Sequence, residues 1–410
     1  MHINIEKNNL NIDLNKLLTI GYRANNEKRN FLFISKCLGK HLIVKPEIVK
    51  LIGYALSYQV YKPKNYPIND IISILEYPYQ DMSKSEKLKK IYENKIKTNE
   101  DTLVLGFAET ATGLGMSVAS AIKNSYYVTT TREKITSIKS CFDFEETHSH
   151  ATSHQCFLED LTKLNSNRII LVDDEITTGN TMLNLIESLE KNLPCKKRKY
   201  TVLSILDWRN ESQKEKFEKF KKSLNIDIDV VSIISGTIEN NDNRIFIDKK
   251  ESEILETTTV KDLHIFNRKK YITEDGDIEY LTSTGRFGID TNDFEEIEQK
   301  SEEVFNFIKN DLSISNERIL VLGHGENIYI PSRIAAKFSN AEFKTTSRSP
   351  IYISEENNYP IKEKHSFYDK DIKYFFYDKT FIESYYDKVI LLTETDLNIK
   401  LCKNIYIYKI

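Results

Sequence analysis

The chain has 410 residues, 40% hydrophobic and 29% charged, which is enough apolar material for two or three domains with cores of their own and too much for a disordered chain. Its 58 basic and 61 acidic side chains leave a formal charge of −3, so no bulk electrostatic attraction to nucleic acid is expected. Thirteen glycines and eight prolines exclude collagen-like and low-complexity readings, and five scattered cysteines without a CxxC spacing argue against a disulfide framework or structural zinc.

The opening MHINIEKNNL contains no apolar stretch of signal-peptide type, and no run approaches the ~18 apolar residues of a membrane span, so a cytoplasmic protein is expected. Residues 1–100 mix short apolar patches with charged helical stretches. FLFISKCLGKHLIV (31–44) is the most apolar of them, and helical periodicity around 68–79 stops at Pro78. DTLVLGFAE then predicts a buried strand running into a turn, 112–122 a helix of small residues, and SYYVTTTRE (125–133) a second strand. A polar stretch with three histidines follows to about residue 157. NRIILVDDE (167–175) reads as a third strand, entering a helix with Met182, Leu183, Ile186 and Leu189 at helical spacing. Strands over 201–208 and 227–239 complete an α/β pattern: a mainly parallel sheet with helices on both faces.

Residues 240–262 are polar and without strong periodicity, which places a domain boundary near 245 and divides the chain into 1–245 and 246–410. A second, smaller α/β unit is predicted beyond it, from a helix over 291–310, a strand over 318–323, a helix from about 331, and strands near KTTSRSPIYI and over 388–394. Eight of the thirteen glycines fall in four short segments, and three of those segments follow a strand's carboxyl end, where open parallel sheets bind ligands.

The segment IILVDDEITTGNTM (169–182) carries the chemistry. Its apolar strand delivers two adjacent carboxylates, Asp173 and Asp174, and the run Thr177, Thr178, Gly179, Asn180, Thr181 then opens a helix. Unpaired backbone N–H groups at a helix start, threonine hydroxyls and a glycine that permits close approach suit a phosphate. The carboxylate pair suits vicinal hydroxyls or a hydrated Mg²⁺. An acid pair before a helix is ordinary capping by itself; the whole string is not. It lacks the lysine of a P-loop after its glycine.

The string closely resembles the motif that binds 5-phosphoribosyl 1-pyrophosphate (PRPP) in type I phosphoribosyltransferases. That resemblance implies the type I fold, with Asp173 and Asp174 on the ribose 2′- and 3′-hydroxyls, Thr177 to Thr181 around the 5′-phosphate, and Mg²⁺ as cofactor. LVLGFAETATGLG (103–115) resembles the family's pyrophosphate loop, which gives that role to Glu109, Thr110 and Ala111, with Glu109 badly placed beside phosphates unless it meets a metal or a base. Arg132, after the second strand, matches the family's basic contact to pyrophosphate. His148, His150 and His154 would lie on a closing loop, as plain loop residues, as contacts to the leaving group, or as metal ligands.

LTSTGRFGID (281–290), VLGHGENIYIPSRIA (321–335) and TTSRSPIYI (345–353) resemble the TRSP domain, which follows a phosphoribosyltransferase in proteins of bacterial tellurite-resistance gene clusters. The naming tetrad here is Ser347-Arg348-Ser349-Pro350. Together with GYRANNEKRNFLFISKCLGKH (21–41), these segments are similar to the orotate phosphoribosyltransferase-like subfamily. Within the second unit, Arg286, Gly323, His324, Gly325, Glu326, Ser347, Arg348 and Ser349 suggest a phosphorylated ligand, with packing, dimerisation or separate catalysis as the other readings. The resemblance implies an enzyme that moves ribose 5-phosphate between PRPP and a base or nucleotide with pyrophosphate as co-product. A nucleotide-like metabolite linked to stress or tellurite resistance and a homodimer are further implications; a PRPP-sensing regulator is the alternative. The hood over the base would come from about residues 1–60, with Arg23, Asn25 and Lys28 as candidates.

Overall fold

Leu103, Val104 and Leu105, like Ile169 to Leu171 and Tyr200 to Leu203, are buried on both sides of their strands, the pattern of a parallel sheet covered on each face. The computed structural model describes all residues except 25, 27–28, 80–83, 146–152, 193–198, 241, 243, 248–250 and 275. It divides into two compact units, one of residues 1–12, 50–240 and 268–295, the other of 13–49, 241–267 and 296–410. A single cut at 245 therefore does not separate them. Residues 13–49 leave the first half, and 268–295 leave the second.

The labelled elements of the first unit are β1 (His2–Asn8), α1 (Pro46–Tyr61), β2 (Thr102–Gly106), α2 (Ala111–Ser120), β3 (Ser125–Thr131), β4 (Phe142–Glu145), β5 (Ser153–Cys156), β6 (Arg168–Ile176), α3 (Asn180–Asn192), β7 (Lys199–Asp207), α4 (Glu211–Leu224) and β8 (Asp227–Glu239). They form one sheet in the order β1-β8-β7-β6-β2-β3-β5-β4. The five strands from β8 to β3 are parallel, whereas β1, β5 and β4 pair antiparallel. The α/β expectation is met.

The insertion 268–295 explains Gly285. A hairpin, β9 (Arg268–Thr273) and β10 (Gly276–Leu281), leads to β11 (Ile289–Asp290), which pairs antiparallel with β3 at Tyr126 and Tyr127. Tyr271, Tyr280 and Phe287 from this segment form a core with Ile135 and Phe157. Gly285 sits at φ +77°, its carbonyl accepts from the Thr129 N–H at 3.0 Å, and a Cβ there would lie 2.3 Å from the Tyr127 ring. Only glycine permits both the left-handed conformation and that approach.

The second unit holds α5 (Thr291–Asp311), β12 (Ile319–Gly323), α6 (Tyr329–Ala335), β13 (Ala341–Thr345), β14 (Lys364–Asp369), β15 (Ile372–Tyr377), α7 (Lys379–Tyr385), β16 (Lys388–Thr393) and β17 (Ile405–Lys409), with the first residues of α5 counted in the other unit. A parallel sheet runs through the short strand Val260–Asp262, then β17, β16, β12 and β13. The apolar stretch after residue 30 becomes a hairpin, Leu18–Tyr22 with Phe31–Ser35, whose Leu32 and Ile34 pack on Ile351, Tyr359, Ile361, Phe375 and Tyr377. Residues 13–49 thus contribute to the core of this unit. Among the described residues no helix is long and apolar enough to cross a membrane.

Gly285→Ala is expected to destabilise the first unit by about 1–3 kcal/mol, because the ring of Tyr127 must move and the backbone is strained as well. Urea denaturation read by the first unit's signal checks this, and a midpoint equal to wild type would contradict the packing.

Candidate active site

Strand β6 outruns its neighbour on one side. β2 ends at Gly106, opposite Val172, while β6 continues to Ile176, paired from Asp173 onward with Ser204 to Asp207 of β7. Asp173, Asp174 and Glu175 therefore lie within the strand near its carboxyl end, as the sequence predicts, held there by the added pairing to β7. Beyond Val172 the opposite edge of β6 passes to the loop after β2, whose Phe107 N–H donates to Val172 O at 3.2 Å. The Asp174 N–H donates to Asp173 Oδ1 at 2.9 Å. Asp173 keeps partial solvent access at its surface, yet the protein around it strips most of its hydration. Burial first, and then the charge of Asp174, push its carboxyl well above the ordinary carboxylate range, with Glu175 adding to the effect.

The segment after β6 turns sharply. Gly179 has φ +75°, and a Cβ on it would lie 2.4 Å from the Phe217 ring of α4, so the backbone there is flush against that helix. Thr178 Oγ1 accepts from the Asn180 N–H at 3.4 Å where α3 begins, and Thr177, Thr178, Asn180 and Thr181 are half-buried. Two cations that sequence reading missed stand beside this loop. Arg209 is buried, lies 4.2 Å over the Phe217 ring and makes paired hydrogen bonds to Asp207 at 2.9 and 2.8 Å. Lys216 Nζ donates to Asn180 Oδ1 at 2.6 Å. The signal was present in Asp207-Trp208-Arg209 at the end of a predicted strand; the Trp208 N–H bonds Ile176 O at 2.8 Å and holds the two strand ends together.

The loop after β2, the end of β3 and β5 bring together three of the expected residues. Arg132 Nη1 donates to Glu109 Oε1 at 3.0 Å, and Arg132 Nε points at His154 Nε2, 3.4 Å away. His154 is buried, with Nδ1 3.3 Å from Thr130 Oγ1, and that hydroxyl accepts from the Ala108 N–H at 3.0 Å. Since Arg132 only donates, Nε2 of His154 accepts and its proton sits on Nδ1, an assignment from the hydrogen-bond network. Glu109 is thus paired with the Arg132 guanidinium. Ala111 starts α2 and donates its N–H to Phe107 O at 3.1 Å, so that amide is already engaged within the loop; Thr110 precedes it. His148 and His150 lie outside the described residues, and among the described ones no group of three or more His, Cys, Asp or Glu is arranged to hold a metal.

The residues read as a second ligand site are divided between the two units. Gly323 to Glu326 and Ser347 to Ser349 lie in the second unit, but Arg286 lies in the first, 4.2 Å over the Tyr280 ring with Nε 3.9 Å from Glu133 Oε2. The cause is the pairing of β11 with β3, which carries residues 282–290 to that sheet. Arg23 is in the second unit, its N–H bonded to Asn30 O at 2.9 Å, and Asn25 and Lys28 lie outside the described residues.

A family model described as phosphoribosyl transferase matches residues 17–237, more than half of the chain, and one described as the TRSP domain C-terminal to it matches 283–406. No curated protein matches the sequence. Similar solved structures include adenine phosphoribosyltransferase from Rhodothermus marinus, at 11% identity over 53% of this chain and 94% of that one with a TM-score of 0.29. The adenine enzyme of Trypanosoma brucei, in complex with AMP, pyrophosphate and ribose-5-phosphate, has 15% identity over 57% and 86% with a TM-score of 0.30. Orotate phosphoribosyltransferase of Mycobacterium tuberculosis has 11% over 52% and 88% with 0.25.

Because the folded state raises the Asp173 pKa, it retains a proton that the unfolded chain releases, so ionising Asp173 costs stability as pH rises above the unfolded value near ~4. Asp173→Asn keeps the acceptor for the Asp174 N–H and removes that cost. With partial solvent access limiting the gain to about 1 kcal/mol, the thermal midpoint at pH 8 should rise by roughly 2–4 °C, and the difference should shrink as pH falls into the acid range. A midpoint at pH 8 unchanged or lower than wild type would count against it.

Proposed function

The chain belongs to the phosphoribosyl transferase family, and from that premise we propose that it transfers ribose 5-phosphate between PRPP and a nitrogenous base, with pyrophosphate as co-product and Mg²⁺ as cofactor. The observation that carries this reading is the convergence at the carboxyl end of one parallel sheet of the acid pair on β6, the Thr177–Thr181 turn and the Glu109–Arg132 pair. In this assignment Asp173 and Asp174 accept hydrogen bonds from the ribose hydroxyls. The Thr177–Thr181 backbone and hydroxyls grip the 5′-phosphate, next to Arg209 and Lys216. Arg132 turns its guanidinium from Glu109 to the pyrophosphate oxygens, a bidentate charge-assisted contact.

The carboxylates of Asp173 and Asp174 are hard oxygen donors of the kind Mg²⁺ accepts, and an ion that keeps most of its ligands from water and phosphate needs no closed protein cage. Bound there it would neutralise charge on the phosphates and diol. The bond from C1′ to the pyrophosphate oxygen breaks with its electron pair on the leaving group. The acceptor nitrogen forms the new bond to C1′ and gives up a proton. The protein's contribution is placement of the two partners and electrostatic compensation of the departing oxygens. The acceptor is of the nitrogenous base class, and a nucleotide-like product in stress or tellurite-resistance metabolism follows from the TRSP resemblance alone.

Isothermal titration of the full chain with PRPP and Mg²⁺ tests the assignment. Micromolar binding is expected, weakened at least tenfold, about 1.4 kcal/mol, in the Asp173→Asn/Asp174→Asn variant. Binding should strengthen with rising pH as Asp173 ionises. If the folded wild type binds no PRPP, the enzyme reading gives way to a regulator with a different ligand; if the variant binds as well as wild type, the acids are not the ribose site.

A further inference from the structure

The sheet of the second unit has a switch point. From β12 the chain passes through α6 to β13 on one edge, and only after the hairpin β14–β15 and α7 does it return to β16 on the other edge. Connections that leave neighbouring strands in opposite directions open a crevice at the carboxyl ends of those strands, the usual ligand position in open α/β sheets. Here the crevice lies beyond Gly323 of β12 and Thr393 of β16, flanked by the residues that follow β13.

A chain of polar groups crosses this end of the sheet. The Gly325 N–H donates to Thr346 Oγ1 at 3.1 Å, Thr346 Oγ1 lies 2.8 Å from His324 Nδ1, and His324 Nε2 lies 3.2 Å from Asp369 Oδ2. Thr395, two residues beyond β16, donates its hydroxyl to the same Asp369 oxygen at 3.4 Å. Burial works to raise the Asp369 carboxyl, but the hydrogen bond from His324 and the charge of Lys370 hold it below the usual range, so it is an ionised acceptor. The order of donors then has one direction: Gly325 N–H to Thr346, Thr346 hydroxyl to Nδ1, and Nε2–H to Asp369. His324 is clamped from both sides, and its ring centre lies 4.4 Å from that of Tyr374. Arg348, three residues past β13, directs Nε and Nη2 to the Tyr374 hydroxyl at 3.1 and 3.0 Å.

Ordinary loop pinning would account for some of these bonds, but not for all of the cluster. Asn327, on the same turn as His324 and only 7% exposed, has no hydrogen-bond partner for Nδ2 among the described residues, a costly arrangement unless something outside the chain accepts from it. The crevice thus combines a guanidinium and hydroxyls, with an unpartnered amide on the turn that borders it, which fit an anion, and a carboxylate fixed by histidine, which fits alcohol groups. A ligand with a phosphate at one end and hydroxyls at the other satisfies both sets.

We propose that the carboxyl end of the second unit's parallel sheet, around His324, Asn327, Thr346, Arg348 and Asp369, is a second small-molecule site that takes a phosphorylated pentose or its nucleotide-like ester. The choice of a pentose phosphate rests on the phosphoribosyl transfer proposed above, whereas the site itself rests on the second unit alone.

The probe is ribose 5-phosphate, titrated into the full chain carrying Asp173→Asn and Asp174→Asn, with binding followed by calorimetry and by saturation-transfer NMR of the ligand. Saturable binding is expected, reduced at least tenfold when Arg348→Gln or His324→Gln is added, with circular dichroism and thermal melting confirming that each variant folds. No saturable binding to the folded parent, or binding indifferent to both added substitutions, overturns the second site. Failure of the first site shows separately, as PRPP binding that, with the second site disabled by Arg348→Gln, survives Asp173→Asn/Asp174→Asn. Inorganic phosphate serves as a second probe. If it competes with ribose 5-phosphate in an Arg348-dependent way the anion end is supported, and if it competes equally well in Arg348→Gln the assignment of that end is overturned.

Discussion

The first unit depends on unequal strand lengths in a parallel sheet. β2 stops opposite Val172 and β6 goes on for four residues with a partner on one side only. A carboxylate inside a fully paired, doubly covered strand would be desolvated with nothing to accept from; on a half-paired extension it meets backbone N–H groups, a loop and solvent. The buried run before it, from Ile169 to Val172, makes the extension rigid. The acids are thereby held on the stiffest part of the molecule, at the height where the loops on both sides begin.

That placement sets charges against one another. Asp173 is raised by burial and by Asp174, Glu109 and Arg132 neutralise each other across 3.0 Å, and Arg209 is locked to Asp207 beside the glycine turn. Each of the two guanidinium groups near the site has a carboxylate of the chain as partner, whereas Lys216 bonds the Asn180 amide oxygen. For a site that takes a polyanion, this is a way to keep guanidinium groups oriented and compensated before the substrate arrives, so that binding exchanges one anion for another instead of desolvating a bare cation.

Much of this was legible in the sequence because it is local. Apolar runs of four or five residues, a glycine turn and a helix start all lie within one stretch such as 169–182, and the hydrophobic pattern fixes them. What was not legible depends on pairing between distant residues. Nothing near Gly285 indicates that its partner is Tyr127, and nothing in Phe31 to Ser35 indicates that its apolar face is completed by Ile351 to Tyr377. Periodicity gives the face of a strand but not the strand beside it, so neither the passage of residues 13–49 into the second compact unit nor that of Arg286 into the first could be read from the sequence.

His154 shows the same limit at the scale of one side chain. In sequence it closes a polar, histidine-bearing stretch, and surface loop, leaving-group contact and metal ligand were all open. In the fold it is buried on β5, between the Thr130 hydroxyl and the Arg132 guanidinium. A neutral imidazole in that position accepts from Arg132 on one side while Glu109 accepts on the other, so the guanidinium is supported along two of its edges. The loop after β2, the end of β3 and β5 are then mechanically linked through one cation.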